Sequence, residues 1–158
     1  MKKQSVISAL ALSVLPVAAV AALSALLTDS KGSWYLSLRK PSFTPPDWAF
    51  PLAWGIVYLC AIAAIYLLLR RNEAISPTIV SLLCAVGVLN VLWSAVFFHL
   101  HAPSTACAVL LALLGALVWL ICLLRPANRA SMFLLLPHLL WGGFALALNV
   151  GIALLNAA

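Results

Sequence analysis

Long apolar stretches separated by short polar islands run the length of the chain, and the islands set the number of elements. Between Lys3 and Asp29 lie 25 uncharged residues, between Asp47 and Arg70 lie 22, between Glu73 and Arg125 lie 51, and after Arg129 come 29. A bilayer core of about 30 Å takes roughly 20 helical residues at about 1.5 Å rise each, so the third interval holds two spans and the others one each. His99, His101, Pro103 and Ser104 interrupt the long interval near its middle, supplying a polar turn and a helix-starting proline. The pattern predicts an all-α, integral membrane bundle of five transmembrane helices, one domain over 1–158. Its helices fall at about 5–27, 46–69, 77–98, 103–124 and 129–156, with a capping loop at about 28–45. A closed β-barrel needs short alternating segments, and the unbroken apolar run from Leu110 to Leu114 does not alternate.

Prolines refine the elements. Pro46, Pro77 and Pro103 sit at helix starts, where a missing N–H costs nothing, whereas Pro16, Pro51 and Pro137 fall inside spans and predict kinks.

Composition narrows the class. The chain is 66% hydrophobic and 8% charged, against roughly 45–50% and about 25% in a soluble domain. That excludes a water-soluble globule, and with only 7 Gly it also excludes disordered, coiled-coil and collagen-like chains. With five spans, Lys2, Lys3, Arg70, Arg71, Arg125 and Arg129 share one side and Lys31, Arg39 and Lys40 the other. The excess predicts a cytoplasmic N-terminus, a C-terminus on the opposite side, and basic ends that meet anionic lipid. No basic stripe points to nucleic acid. Met1-Lys2-Lys3-Gln4 before an apolar run containing Ala22-Leu23-Ser24-Ala25 imitates a secretory leader. The run exceeds the usual 7–15 residue leader core, so a retained helix is expected; cleavage would leave four spans.

Chemistry is sparse. There is no GxSxG, HExxH or Walker loop, and the three acids, Asp29, Asp47 and Glu73, lie outside the spans, unlike the mid-membrane ionisable groups of pumps. Cys60, Cys84, Cys107 and Cys122 fall inside spans without CxxC spacing, which predicts buried small hydrophobes and neither disulfides nor a metal site. The unusual feature is six tryptophans. Trp34, Tyr35 and Trp48 suit the membrane interface. Trp54, Trp93 and Trp141 lie deeper, where an indole N–H needs a partner or a ligand.

Helical spacing groups these residues. Trp54 and Tyr58 share a face, as do Asn90, Trp93, Ser94 and Phe97, and as do Trp141, Ala145 and Asn149. Amides in hydrocarbon are costly unless satisfied, so Asn90 and Asn149 face the bundle interior, where they either tie helices together or line a polar spot in a pocket. With the indoles they could enclose a flat, largely apolar ligand. Small residues at Ala108/Ala112/Ala116 and Gly143/Ala147/Gly151, and more weakly Ser81/Ala85, permit close helix approach within one bundle or in a homodimer. The long first loop either caps the bundle, with Arg39 and Lys40 attracting a carboxylate at the pocket mouth, or is an ordinary solvated loop.

Four ordered blocks carry a resemblance. They are Trp34-Tyr35-x-x-Leu38-x-Lys40-Pro41-x-Phe43-x-Pro45-Pro46; Trp48-x-Phe50-Pro51-x-x-Trp54-x-x-x-Tyr58; Asn90-x-x-Trp93-Ser94-x-x-Phe97-Phe98; and Pro137-His138-Leu139-x-Trp141-x-x-Phe144-Ala145-x-x-Leu148-Asn149. The chain thereby resembles the tryptophan-rich sensory protein / translocator protein family, TspO/MBR, also called the peripheral benzodiazepine receptor family. The resemblance implies a five-helix bundle, often dimeric, with a pocket beneath the first loop that takes porphyrins and other tetrapyrroles, haem among them, as ligands rather than as a required cofactor. It implies a lining of Tyr35, Trp54, Tyr58, Asn90, Trp93, Ser94, Trp141 and Ala145, which agrees with the helical stripes. It also implies, from some bacterial members, light-dependent porphyrin breakdown at Trp54 and Trp141. His138 stands where the family usually has tyrosine, which raises the question of a haem-ligating role. No sterol-recognition pattern follows Asn149, since Val150-Gly151-Ile152-Ala153-Leu154-Leu155-Asn156 has neither Tyr nor Arg.

Three functions follow. The leading expectation is a membrane tetrapyrrole-binding protein that senses, sequesters or transports porphyrins. The alternatives are a light-dependent porphyrin-degrading enzyme and a membrane regulatory protein without a small-molecule ligand.

Overall fold

The computed structural model describes residues 5–71 and 75–157; Lys2, Lys3 and Glu73, which entered the charge pattern, lie outside them. Helix α1 spans Val6–Leu27, α2 Ser33–Ser37, α3 Ala49–Leu69, α4 Pro77–Ser94, α5 Pro103–Ala127 and α6 Arg129–Leu155. All but the short α2 are long and apolar enough to cross a membrane, α4 being continued by a π-helical turn over Ala95–His99, which makes five spans among the described residues. The chain is a multi-pass integral membrane protein.

The helix ends show what charges and prolines mark. The second span begins at Ala49, not at residue 46, because Pro46, Asp47 and Trp48 form a turn closed by the Ala49 N–H on the Pro46 carbonyl at 2.9 Å. Pro51 therefore sits in the first helical turn, where no intrahelical partner is lost, and the expected interior position is corrected. Pro16 and Pro137 do lie inside α1 and α6. Helix α5 continues past residue 124 to Ala127, since Arg125 marks where apolar surroundings end and not where the backbone ladder stops. A single residue, Asn128, then separates α5 from α6 and caps the latter by accepting the Ser131 N–H at 3.2 Å.

The five spans form a ring in which α1 packs on α3 and α4, α3 on α6, α6 on α5, and α5 on α4. At the end bearing Arg70, Arg125 and Arg129 the interior is solid, with Ala64, Leu68, Leu82, Leu120, Leu124 and Leu135 in one cluster. The Ser131 hydroxyl ties α6 to the Ala64 carbonyl of α3 there at 2.9 Å. Helix α5 supplies the spine through Ala106, Leu110, Leu113, Leu117, Leu120 and Leu124, one helical stripe. Its outer face carries Ala108, Ala112 and the exposed Trp119, while Ala116 is turned toward the core.

The cysteine expectation is corrected. Cys84 and Cys122 face outward and Cys60 and Cys107 are only half-buried; in a bilayer an outward thiol meets lipid and is as well accommodated as an inward one.

The first loop folds over the other end as a lid. Its short helix α2 lays Trp34 flat on His101, centroids 4.2 Å apart at 19°, and edge-on to Phe97. His101 has a φ of 51°, a left-handed conformation that a non-glycine residue adopts at some cost, and it makes the sharp turn into α5. Gly151 admits the lid's other half, because a β-carbon there would stand 2.5 Å from Pro41 Cγ. The third residue of that small-residue row thus serves the lid and not a helix contact.

Candidate ligand-binding site

Beneath the lid the ring encloses a cavity of about 470 Å³, within the roughly 300–1,000 Å³ of small-molecule sites. Two buried amides build its polar frame. Asn90 Oδ1 accepts from the Ser24 hydroxyl at 3.0 Å and from the Tyr58 hydroxyl at 3.2 Å, joining α4 to α1 and α3. Asn149 Oδ1 accepts from Trp93 Nε1 at 3.1 Å, and its Nδ2 donates to the Pro103 carbonyl at 2.7 Å and to Cys107 Sγ at 3.0 Å, joining α6 to α4 and α5. Together the two side chains hold all five spans, each bond contributing about 0.6 to 2 kcal/mol at membrane depth. The two alternatives for these amides are not exclusive here, for Asn90 and Asn149 tie helices and also stand in the cavity wall.

Aromatic rings form the rest of the wall. Trp54 lies at the centre, stacked with Tyr58 at 5.6 Å, tilted to Trp93 at 6.1 Å and edge-on to Trp141 at 6.4 Å. Trp141 also stacks with Phe144 at 5.4 Å and meets Phe50 edge-on at 5.9 Å. The π-helical turn widens the end of α4 so that the consecutive Phe97 and Phe98 are both buried under the lid, where Tyr35 contacts the two rings.

Trp141 Nε1 and Asn90 Nδ2 are buried without a hydrogen-bond partner among the described residues. An unpaired donor in an apolar interior costs about 1–3 kcal/mol, so these two N–H groups are the costly points of the wall.

The structure brings Tyr35, Trp54, Tyr58, Asn90, Trp93, Ser94, Phe97, Trp141 and Ala145 into one lining. Arg39 and Lys40 are not part of it. Lys40 Nζ is turned back on the lid, donating to the Tyr35 carbonyl at 2.8 Å and lying 4.5 Å over the Tyr35 ring, and the Arg39 backbone is held by Asn156. The charged residues of the lining are instead Lys31 and Asp47, at the mouth. Burial, and after it the Asp47 carboxylate, push the Tyr35 phenol above its ordinary pKa of 10.0. His138 is buried behind the wall, edge-on to Trp54 at 6.0 Å, with Nε2 unpartnered among the described residues; it does not line the cavity.

Helix α1 contributes Ala21, Ser24 and Ala25, and Thr28 follows at its C-cap, none of them anticipated. The signal was present, because Ala9, Ser13, Val17 and Ser24 fall on one buried face of an otherwise apolar helix, and small and hydroxyl residues are enriched where transmembrane helices pack. No group of three or more His, Cys, Asp or Glu gathers among the described residues, and the lining residues are aromatic, aliphatic, amide and hydroxyl, with Lys31 and Asp47 and without His or Cys.

Comparison with known proteins decides the family. Residues 12–155 match the TspO/MBR family throughout. The chain belongs to the TspO/MBR family. It is 35% identical to the tryptophan-rich protein TspO of Archaeoglobus fulgidus, over 92% of this chain and 95% of that one. It is 34% identical to protein CrtK of Rhodobacter capsulatus, over 80% and 81%, and 29% identical to the human translocator protein, over 73% and 70%. TspO/MBR membership and the five apolar spans thus agree on a multi-pass membrane protein.

Proposed function

We propose that this TspO/MBR protein binds tetrapyrroles, porphyrin or haem, in the cavity under the lid, and that it senses, sequesters or transports them. The observation that carries the reading is the wall in which Trp54, Tyr58, Trp93 and Trp141 crowd around one hollow while Trp141 Nε1 and Asn90 Nδ2 lack partners. A flat aromatic macrocycle suits such a wall, since its faces stack on indoles, and a small shift of the rings would let its acceptors meet the two donors. No protein cofactor enters this reading. The basic ends at Arg125 and Arg129 support a cytoplasmic N-terminus with the lid on the other side, and the outward Ala108/Ala112 face of α5 is the surface a second copy would use.

Titrating purified protein in detergent with protoporphyrin tests the reading. Tryptophan emission is quenched saturably in the parent, and the Trp54→Phe/Trp141→Phe variant binds at least tenfold more weakly. Unchanged emission in the parent refutes the reading and favours a regulatory protein without a small-molecule ligand.

The edge-on Trp54 and Trp141 pair favours one second reading, light-dependent oxidation of bound porphyrin by dioxygen. It requires product to form only under light and oxygen, and to be lost in the double variant at porphyrin concentrations that still saturate it.

A further inference from the structure

The mouth of the cavity carries one cation and one anion. Lys31 lies between α1 and α2, Asp47 in the turn before α3, and both belong to the lining. Among the described residues neither is engaged in an ion pair or a hydrogen bond, whereas Lys40 is committed to the Tyr35 carbonyl and ring. The two charges are therefore available to whatever passes the lid. Asp47 is felt inside the wall, since its carboxylate disfavours ionisation of the Tyr35 phenol. Deeper in, the lining is aromatic, aliphatic, amide and hydroxyl, so among the described lining residues Lys31 and Asp47 carry the charge.

We propose that Lys31 and Asp47 act as a charge selector at the mouth, Lys31 drawing one ligand carboxylate while Asp47 opposes a second. The selector rests on the tetrapyrrole reading and deepens it: the favoured ligand presents a single anionic group to the lid and buries the remainder. Specificity of this kind needs the repulsive partner as well as the attractive one, because an ammonium alone would favour a dianion most. Both groups are exposed to solvent, so each contributes a small factor, and that factor is ionic-strength dependent.

The test is titration of the intact chain in neutral detergent with protoporphyrin, its monomethyl ester and its dimethyl ester, which carry two, one and no carboxylates. The parent binds the monoester most tightly. Lys31→Gln lowers the affinity ratio of monoester to dimethyl ester by about two- to fivefold, the scale of an exposed charge pair. Asp47→Asn raises the ratio of diacid to monoester by a similar factor. Arg39→Gln moves neither ratio. The effects fade near 1 M salt, where the Debye length is about 3 Å. Ratios that do not respond to Lys31 or Asp47, or that respond equally to Arg39, overturn the selector. If none of the three porphyrins binds the parent, the tetrapyrrole reading has failed instead, so the two outcomes are distinct.

Discussion

The side-chain amide of Asn156 grips the backbone of Arg39 with both of its polar atoms. The Arg39 N–H donates to Oδ1 at 3.0 Å and Nδ2 donates to the Arg39 carbonyl at 2.9 Å. An amide paired this way imitates a neighbouring strand, and it fastens the lid to the last turn of α6, 117 residues away in the chain. The lid, and with it access to the cavity, therefore depends on a residue outside the aromatic wall.

Replacing Asn156 with Ala removes both bonds. At about 1 kcal/mol each, discounted for exposure, lid opening increases about tenfold. Amide exchange across residues 34–40 rises by that factor while the spans remain protected. Unchanged exchange means that the ring contacts of Trp34 and Tyr35 hold the lid alone.

Two glycines of α6 separate lid packing from helix flexibility. Gly151→Ala places a methyl 2.5 Å from Pro41 Cγ, so the lid must lift, whereas a β-carbon at Gly143 meets nothing within 4 Å. Ligand dissociation is expected to accelerate several-fold in Gly151→Ala and to stay at the parental rate in Gly143→Ala. Equal behaviour of the two variants in a stopped-flow release assay removes the steric argument.

Asn149→Leu leaves Trp93 Nε1 without a partner and removes the second bond to the Pro103 carbonyl, at a cost of about 1–3 kcal/mol. Thermal unfolding in detergent shifts downward accordingly, and Trp93→Phe in the same background restores part of the loss by removing the orphaned donor. A full additive loss in the double variant would mean that the two side chains act independently.

How much of this was legible in the sequence follows from what a bilayer makes visible. Charges and prolines stand out against hydrocarbon, so the five spans were readable to within a few residues. The errors fell where a charge or proline marks the membrane boundary instead of a helix end, at Pro46 and Arg125. The inward face of each span was readable only through its polar members, because lipid and core are equally apolar. Asn90 and Asn149 therefore mark the inward faces of α4 and α6, while α1 has only its serines to mark one. Arg39 and Lys40 were expected at the mouth because loop charges are the obvious partners for a carboxylate. Direction within a loop is set by contacts such as Lys40 with Tyr35, which sequence spacing does not encode.

Alkaline pH provides a check on the lid. The Tyr35 phenol is held above 10.0 in the closed lid by burial and then by Asp47. The released lid ionises at the ordinary value, so closure is unaffected below about pH 10 and weakens as pH rises beyond it. Asp47→Asn lowers the closed-state pKa and makes that weakening shallower. A phenolate absorbance titration, with Tyr35→Phe as the difference reference, reads both; ionisation of Tyr35 at its ordinary value contradicts the packing described.

The most direct test fills the hollow. Ala145 is buried in the cavity wall, and Ala145→Phe puts a ring where the macrocycle would lie. Porphyrin titration with the melting temperature followed in parallel is the measurement. Saturable binding by the parent, and its loss in a variant that still unfolds cooperatively, is the predicted result; a folded Ala145→Phe variant that binds porphyrin with parental affinity would contradict the account.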